Sequence, residues 1–371
     1  MASLINSQFS NNHISDTGLT ILFAPDSSAV ANIVMVHGLQ GHPFKTWAKL
    51  SKDHLSNYPP RYSIAYNAAR LLEKVPSLFR QRSSMMHLSN HNTQNTEYNI
   101  YEANAETVDL VERFMASDGE VYFWPQDDLP DCCPGACIIT WGYNTYVTKG
   151  FQRASNRISL YQYGKNLLYD LKRLSPTSLI IFIAYSLGGI VVKEMLSASA
   201  YSNDPALKNI VESTAAIIFL ATPHRGSPWS TLGESARKIA SAMGMDTNPA
   251  ILDSLGLKNS DLQRSQDSFS SIWNRYNFQV KTFQEGTDWK ATRLGRLNNK
   301  VVDDISFCLG DDRENAETLS ANHMEICRFS NPNDPDSQKV HRELFSIFNS
   351  ALTCSVNEVR DDAHRTYVNE G

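Results

Sequence analysis

The chain has 371 residues, of which 42% are hydrophobic, 10% aromatic and 20% charged, the profile of a globular protein rather than a disordered or fibrous one. Thirty-four Lys and Arg face 39 Asp and Glu, a formal net charge of −5, and this mild negative balance argues against a nucleic-acid protein. The longest apolar runs, Leu179–Tyr185 and Ala215–Ala221, are far too short to span a bilayer. Residues 1–44 hold no Lys or Arg, which argues against a basic secretory signal or an Arg-rich transit peptide. The expected location is therefore the cytoplasm. The cysteines, Cys132, Cys133, Cys137, Cys308, Cys327 and Cys354, are few for the length and are expected to be reduced thiols. Cys132-Cys133-x3-Cys137 lacks a second ligand pair at zinc-finger spacing and is not taken as a metal site.

In chain order, residues 1–17 are polar and expected to be loose. Gly18–Phe23 and Asn32–Val36 have strand character, joined by a Pro25-Asp26-Ser27-Ser28 turn. Ala48–Glu120 departs from the core rhythm, with a helical pattern at Ser63–Phe79 and a polar run at Arg82–Asn99. It is expected to be an insertion, either lid material or a surface excursion. Cys137–Thr140 is a further strand candidate. Over Ile158–Leu174 the residues Leu160, Tyr163, Leu167, Leu168 and Leu171 make one apolar helical stripe.

Strand Leu179–Ile183, a tight turn, helix Leu187–Ala200 and strand Ala215–Leu220 follow. This alternation, with crossovers long enough for helices, predicts a doubly wound, mostly parallel α/β sheet. Pro228–Asn277 has the pattern of two or three helices and is a second lid candidate (228–277). Strands are expected at Phe278–Phe283 and Asn299–Val302, and a last helix at Gln338–Ala351. The charged stretch 355–371 is expected to be a frayed tail, so the main domain is placed at 18–354.

The most informative segment is Ile183-Ala184-Tyr185-Ser186-Leu187-Gly188-Gly189. A buried strand enters a turn centred on Ser186, with Gly two residues on and a helix behind it, the context of a nucleophile elbow. The first Gly of G-x-S-x-G is Ala184 here. The helix N-terminus favours negative charge developing beside Ser186. At Val36-His37-Gly38-Leu39 a strand ends in His-Gly. The backbone N–H groups of Leu39 and Leu187 are the candidate oxyanion donors. Leu220–Ser227 is expected to be a Pro- and Gly-shaped rim of the site.

A serine nucleophile needs a later His oriented by an acid. The histidines that follow are His224, His323, His341 and His364. His323, ahead of the last helix, is the candidate base. Chain order argues against His224, His341 lies in a predicted helix, and His364 lies in the tail. Glu285, at the end of the Phe278–Phe283 strand, is the candidate acid, with Asp288 next and Asp303 and Asp304 after it.

Taken together, VHGLQGHPFKTW (36–47), IAYSLGGIVVKE (183–194), IIFLATPHRGS (217–227), TFQEGT (282–287) and ANHMEICRF (321–329) resemble fungal α/β-hydrolases of the DUF676-type serine esterases, kin of lipase-like domains fused ahead of NACHT or ankyrin modules. The resemblance runs from about Gly18 to Phe348, apart from 48–120. It implies an α/β-hydrolase fold with Ser186 as nucleophile, Glu285 as acid and His323 as base; with no NACHT or repeat module following in the sequence, a stand-alone enzyme is expected. The expected activity is hydrolysis of an ester or other acyl bond through an acyl-enzyme, with no metal or other cofactor. The expected partner is a small-molecule acyl substrate, and apolar inner lid faces would suit a lipophilic one. Two alternatives stand beside it. One is a thioesterase, acyltransferase or cyclase of a fungal secondary-metabolite pathway. The other is a catalytically silent ligand-binding module.

Overall fold

A computed structural model of the protein describes residues 14–38, 41–51, 120–144, 159–174, 178–224, 259–287, 309 and 311–369. The elements in chain order are β1 (Gly18–Phe23), β2 (Ala31–Val36), β3 (Ala48–Ser51), β4 (Glu120–Phe123), α1 (Trp124–Asp127), α2 (Leu129–Cys132), β5 (Ala136–Gly142), α3 (Leu160–Leu174), β6 (Leu179–Tyr185), α4 (Gly188–Ala200), α5 (Pro205–Glu212), β7 (Thr214–Leu220), α6 (Asn259–Tyr276), β8 (Gln279–Glu285), β9 (Asn315–Leu319) and α7 (Pro335–Asn369).

Seven strands form one sheet in the order β1-β5-β2-β6-β7-β8-β9. Only β1 runs antiparallel to its neighbour; every other pairing is parallel. The register sets Val34 beside Phe182, and Ile183 beside Ile218. Every residue of β2 and β5 is buried, as continuous apolar runs require of strands covered on both faces. Edge strand β1 is half-buried throughout.

The helical stripe expected from the sequence is the buried face of α3, with Gly164 added to it. Gly164 sits where α3 crosses α4: a Cβ there would lie 2.8 Å from Glu194 Cβ and 2.8 Å from the Met195 nitrogen. Helices α3, α4 and α6 pack side by side, and α7 packs against β7 and α2. No helix among the described residues is long and apolar enough to cross a membrane.

Several boundaries differ from the sequence expectation. The last helix opens at Pro335, not Gln338. It continues past Ala351 to Asn369, so the backbone of 355–369 is helical where a frayed tail was expected. Asp334 caps it, its carboxylate accepting from the Asp336 N–H at 3.0 Å. Leu187 precedes α4 as its cap residue and is not its first helical residue. The last strand in the sheet order among the described residues, β9, has the sequence Asn-Ala-Glu-Thr-Leu and is largely exposed, so it carries little apolar signal. The ends of the expected 48–120 insertion pair as β3 and β4, strands of four residues each, too short to show an alternation. The expected strand 299–302, the helical pattern 63–79, the polar run 82–99 and the lid stretch 228–258 lie outside the described residues. Only α6 of the second lid region is described. No three side chains able to hold a metal converge among the described residues.

Gly164→Val should force α3 off α4 and destabilise the fold by about 1–3 kcal/mol, the usual range for overpacking. The midpoint of urea denaturation, compared with wild type, measures it.

Candidate active site

The site lies at the carboxyl ends of the strands, where a parallel α/β sheet collects its functional loops. β2 delivers His37 and Gly38, β6 delivers Ser186, β7 delivers Ala221 and Thr222, and β8 ends on Glu285. The turn after β9 delivers His323.

Ser186 has φ of +55°, the left-handed region that costs a side-chain-bearing residue about 1–2 kcal/mol. Three contacts hold it there. Its N–H donates to the Leu220 carbonyl at 2.9 Å. Its own carbonyl accepts from the Thr222 hydroxyl at 3.0 Å and from the Gly189 N–H at 3.1 Å. The turn demands small neighbours. A Cβ on Gly188 would sit 2.3 Å from the His37 carbonyl oxygen, and one on Gly189 would sit 2.3 Å from Thr222 Oγ1. A Cβ on Gly38 would lie 2.7 Å from Ser186 Cβ. The methyl of Ala184, by contrast, is accommodated in β6, fully buried. Ala221, next to the elbow, also has a positive φ of +48°, and its N–H donates to the Phe283 carbonyl at 2.9 Å.

His323 Nε2 lies 3.0 Å from Ser186 Oγ, and both residues are fully buried. His323 Nδ1 faces Glu285 Oε2 at 3.9 Å, beyond hydrogen-bond length, and has no hydrogen-bond partner among the described residues. Burial depresses the His323 pKa from 6.5 to about 3, so the imidazole is neutral at physiological pH. A serine hydroxyl that donates to Nε2 requires the tautomer with its proton on Nδ1, directed at Glu285.

The loop carrying His323 is anchored from several sides. The Ala321 carbonyl accepts from the N–H groups of Gly286 and Thr287 at 3.1 and 3.3 Å, which joins the Glu285 and His323 loops. Asn322 Oδ1 accepts from the Met324 and Glu325 N–H groups at 2.9 and 3.1 Å. The indole of Trp124 donates to the Cys327 carbonyl at 3.0 Å.

His37 is structural. Its Nδ1 donates to the Gly38 carbonyl at 2.8 Å, and its Nε2 accepts from the Tyr143 N–H at 3.3 Å. It stacks on the Tyr143 ring at 4.4 Å, and burial lowers its pKa to about 3. His42 is also held in the fold, with Nε2 donating to Asp16 at 2.8 Å.

Of the residues expected in the site, Ser186, Glu285 and His323 are brought together, and Leu187 follows the nucleophile directly. Leu39 lies outside the described residues, as do the alternative acids Asp288, Asp303 and Asp304. His224 is buried edge-on against Phe219, and His341 is bonded to Ser337 within α7. The side chain of His364 is not among those described. Thr222 and Asn322 escaped the sequence reading. The Asn at the loop start, an Asx-turn residue, was the available signal for the second; the first needs the tertiary structure.

A strand, a left-handed serine turn and a helix in succession on a mostly parallel sheet, with Glu285 and His323 following in chain order and brought beside the serine, make up this architecture. The fold is that of an α/β-hydrolase. No family model matches the chain. It is 25% identical to Protein SERAC1 of Bos taurus over 302 residues, 80% of this chain and 36% of the relative. It is 26% identical to Protein SERAC1 of Homo sapiens over 209 residues, 55% of this chain and 30% of that one. The chain thus spans about a third of the length of these curated relatives. Similar solved structures include the lipolytic enzymes LipS and LipT, derived from a metagenome (10% identity, TM-score 0.39, 91% of this chain and 99% of that one). The esterase RhEst1 of Rhodococcus is another (11%, 0.38, 90% and 94%). A third is the NocB thioesterase domain (13%, 0.30, 62% and 88%).

Gly188→Ala should cost more than about 2 kcal/mol, because the added methyl meets a backbone carbonyl that cannot rotate away. Thermal and chemical denaturation against wild type test this.

Proposed function

We propose that the protein is a serine hydrolase of ester or other acyl bonds. The observation that carries this reading is the 3.0 Å approach of His323 Nε2 to Ser186 Oγ at a left-handed elbow. Neutral His323 takes the hydroxyl proton as Ser186 Oγ attacks the acyl carbon. The imidazolium so formed returns that proton to the leaving group. Glu285 stabilises the charged ring from the Nδ1 side. Its 3.9 Å separation from Nδ1 shortens as the ring acquires charge and the attraction between the two grows. The Leu187 N–H meets the developing oxyanion, with Leu39 as the expected second donor. Water then attacks the acyl-enzyme, His323 again taking the proton and returning it to Ser186 Oγ as the bond to the acyl carbon breaks and the acid is released. The resemblance to DUF676-type serine esterases supports the same assignment.

A fluorophosphonate probe and intact mass test this directly. Wild type should gain one adduct, and Ser186→Ala none. Acyl-ester turnover should fall by at least about a thousandfold in Ser186→Ala and in His323→Ala, the scale for loss of a triad member. Glu285→Gln should lose less than His323→Ala. A Ser186→Ala protein with wild-type turnover would sink the proposal.

The pH profile gives an independent check. The base works only while unprotonated, and burial holds the His323 pKa near 3. The acid limb of kcat/KM should therefore lie well below pH 6.5, with the rate nearly level from pH 7 to pH 5. Half-maximal kcat/KM near pH 6.5 would contradict it.

A further inference from the structure

Tyr185 stands one residue before the nucleophile, and its side chain is not used by the chemistry above. It is buried, and its hydroxyl donates to the main-chain carbonyl of His323 at 2.8 Å. Its ring lies 5.4 Å from the His323 ring and meets Trp47 edge-on at 6.4 Å. Burial raises the phenol well above its usual pKa of 10.0, so it is a fixed O–H donor at any working pH.

The consequence is geometric. Two tethers flank the Cα of His323. On the N-terminal side, the Ala321 carbonyl is held by Gly286 and Thr287, at the end of the strand that bears Glu285. On the C-terminal side, the His323 carbonyl is held by Tyr185, at the end of the strand that bears Ser186. The second tether closes a circuit from Ser186 through the Tyr185 backbone and hydroxyl to the His323 backbone, then through its imidazole back to Ser186 Oγ. The nucleophile and the base are 137 residues apart in sequence. This one side-chain bond joins their backbones directly.

We infer that Tyr185 is a positioning residue that sets the Ser186–His323 distance by holding the His323 carbonyl. The inference rests on the hydrolase reading above and extends it. Misplacing a reacting group by about 1 Å can slow the chemistry by about a hundredfold.

Tyr185→Phe removes the hydroxyl and keeps the ring between Trp47 and His323. Its second-order rate of fluorophosphonate labelling should fall about five- to tenfold, the scale of one lost hydrogen bond. With p-nitrophenyl acetate, kcat should fall by the same factor while KM stays within about twofold of wild type, as for an interaction that acts in the transition state. Tyr185→His keeps a donor too short to reach and should lose as much. Ser199→Ala, which deletes the buried bonds of that hydroxyl to the Leu207 carbonyl and from the Val211 N–H away from the site, is the control for general loosening and should label at the wild-type rate. Labelling of Tyr185→Phe at the wild-type rate, or slowed no more than in Ser199→Ala, overturns the inference and leaves the hydrolase reading intact. Failure of wild type to label at Ser186 removes both, and the Ser186→Ala control separates the two failures.

Discussion

Ser186 can project its hydroxyl clear of the sheet only because its backbone occupies a conformation that side chains disfavour. That conformation is not free, and the surroundings are arranged to enforce it. β6 must stop abruptly, α4 must start at once, and the His37 strand end must pass within contact of both. Gly38, Gly188 and Gly189 serve that approach, each standing where a Cβ would meet a neighbour well inside contact distance. Thr222 and the Leu220 carbonyl then lock the turn from the β7 side. The strain resides where the chemistry is proposed, and the packed sheet around it supplies the compensation.

Geometry at the base depends on a second set of constraints. The His323 loop has little regular structure and takes its shape from bonds to distant elements. The strand ends of β6 and β8 hold it from below, and α1 and the segment after β2 hold it from the sides. The Cys327 thiol donates to the Thr46 carbonyl at 3.1 Å, and Arg328 Nε donates to the same carbonyl at 3.3 Å. Lys49 pairs with Glu325 at 3.1 Å. The segment after β2 and the start of β3 are thereby tied to the His323 loop.

Burial shapes the electrostatics throughout. His37 and His323 are held neutral by desolvation, His37 as a fixed link in the fold and His323 unprotonated beside Ser186. Where a cation is buried, the structure supplies partners. Lys281 lies between Glu317 and Glu343 at 3.2 and 3.4 Å, and Lys193 donates to Gln266 at 2.5 Å, with the Phe269 ring 5.0 Å away. The fold hosts many chemistries, so the functional argument rests on these particular residues.

The sequence by itself determined the parallel sheet, the elbow and the chain order of Ser186, Glu285 and His323, which the structure brings together. Those features depend on local pattern: apolar runs such as Ile33–Val36 bury both faces, and a serine ahead of paired glycines between strand and helix admits few other structures. Burial was equally legible on α3, where the 3.6-residue stripe became the packed face. The polar strand β9 left no such trace, and β3 and β4 are only four residues each, so all three were missed, and charged residues 355–369 gave no sign that α7 continues through them. What only the tertiary structure decided is which histidine reaches Ser186, how far Glu285 stands from it, and that Tyr185 and Thr222 brace the two ends of the site. Each of those depends on contacts spanning tens to hundreds of residues, set by register and packing that no local pattern encodes.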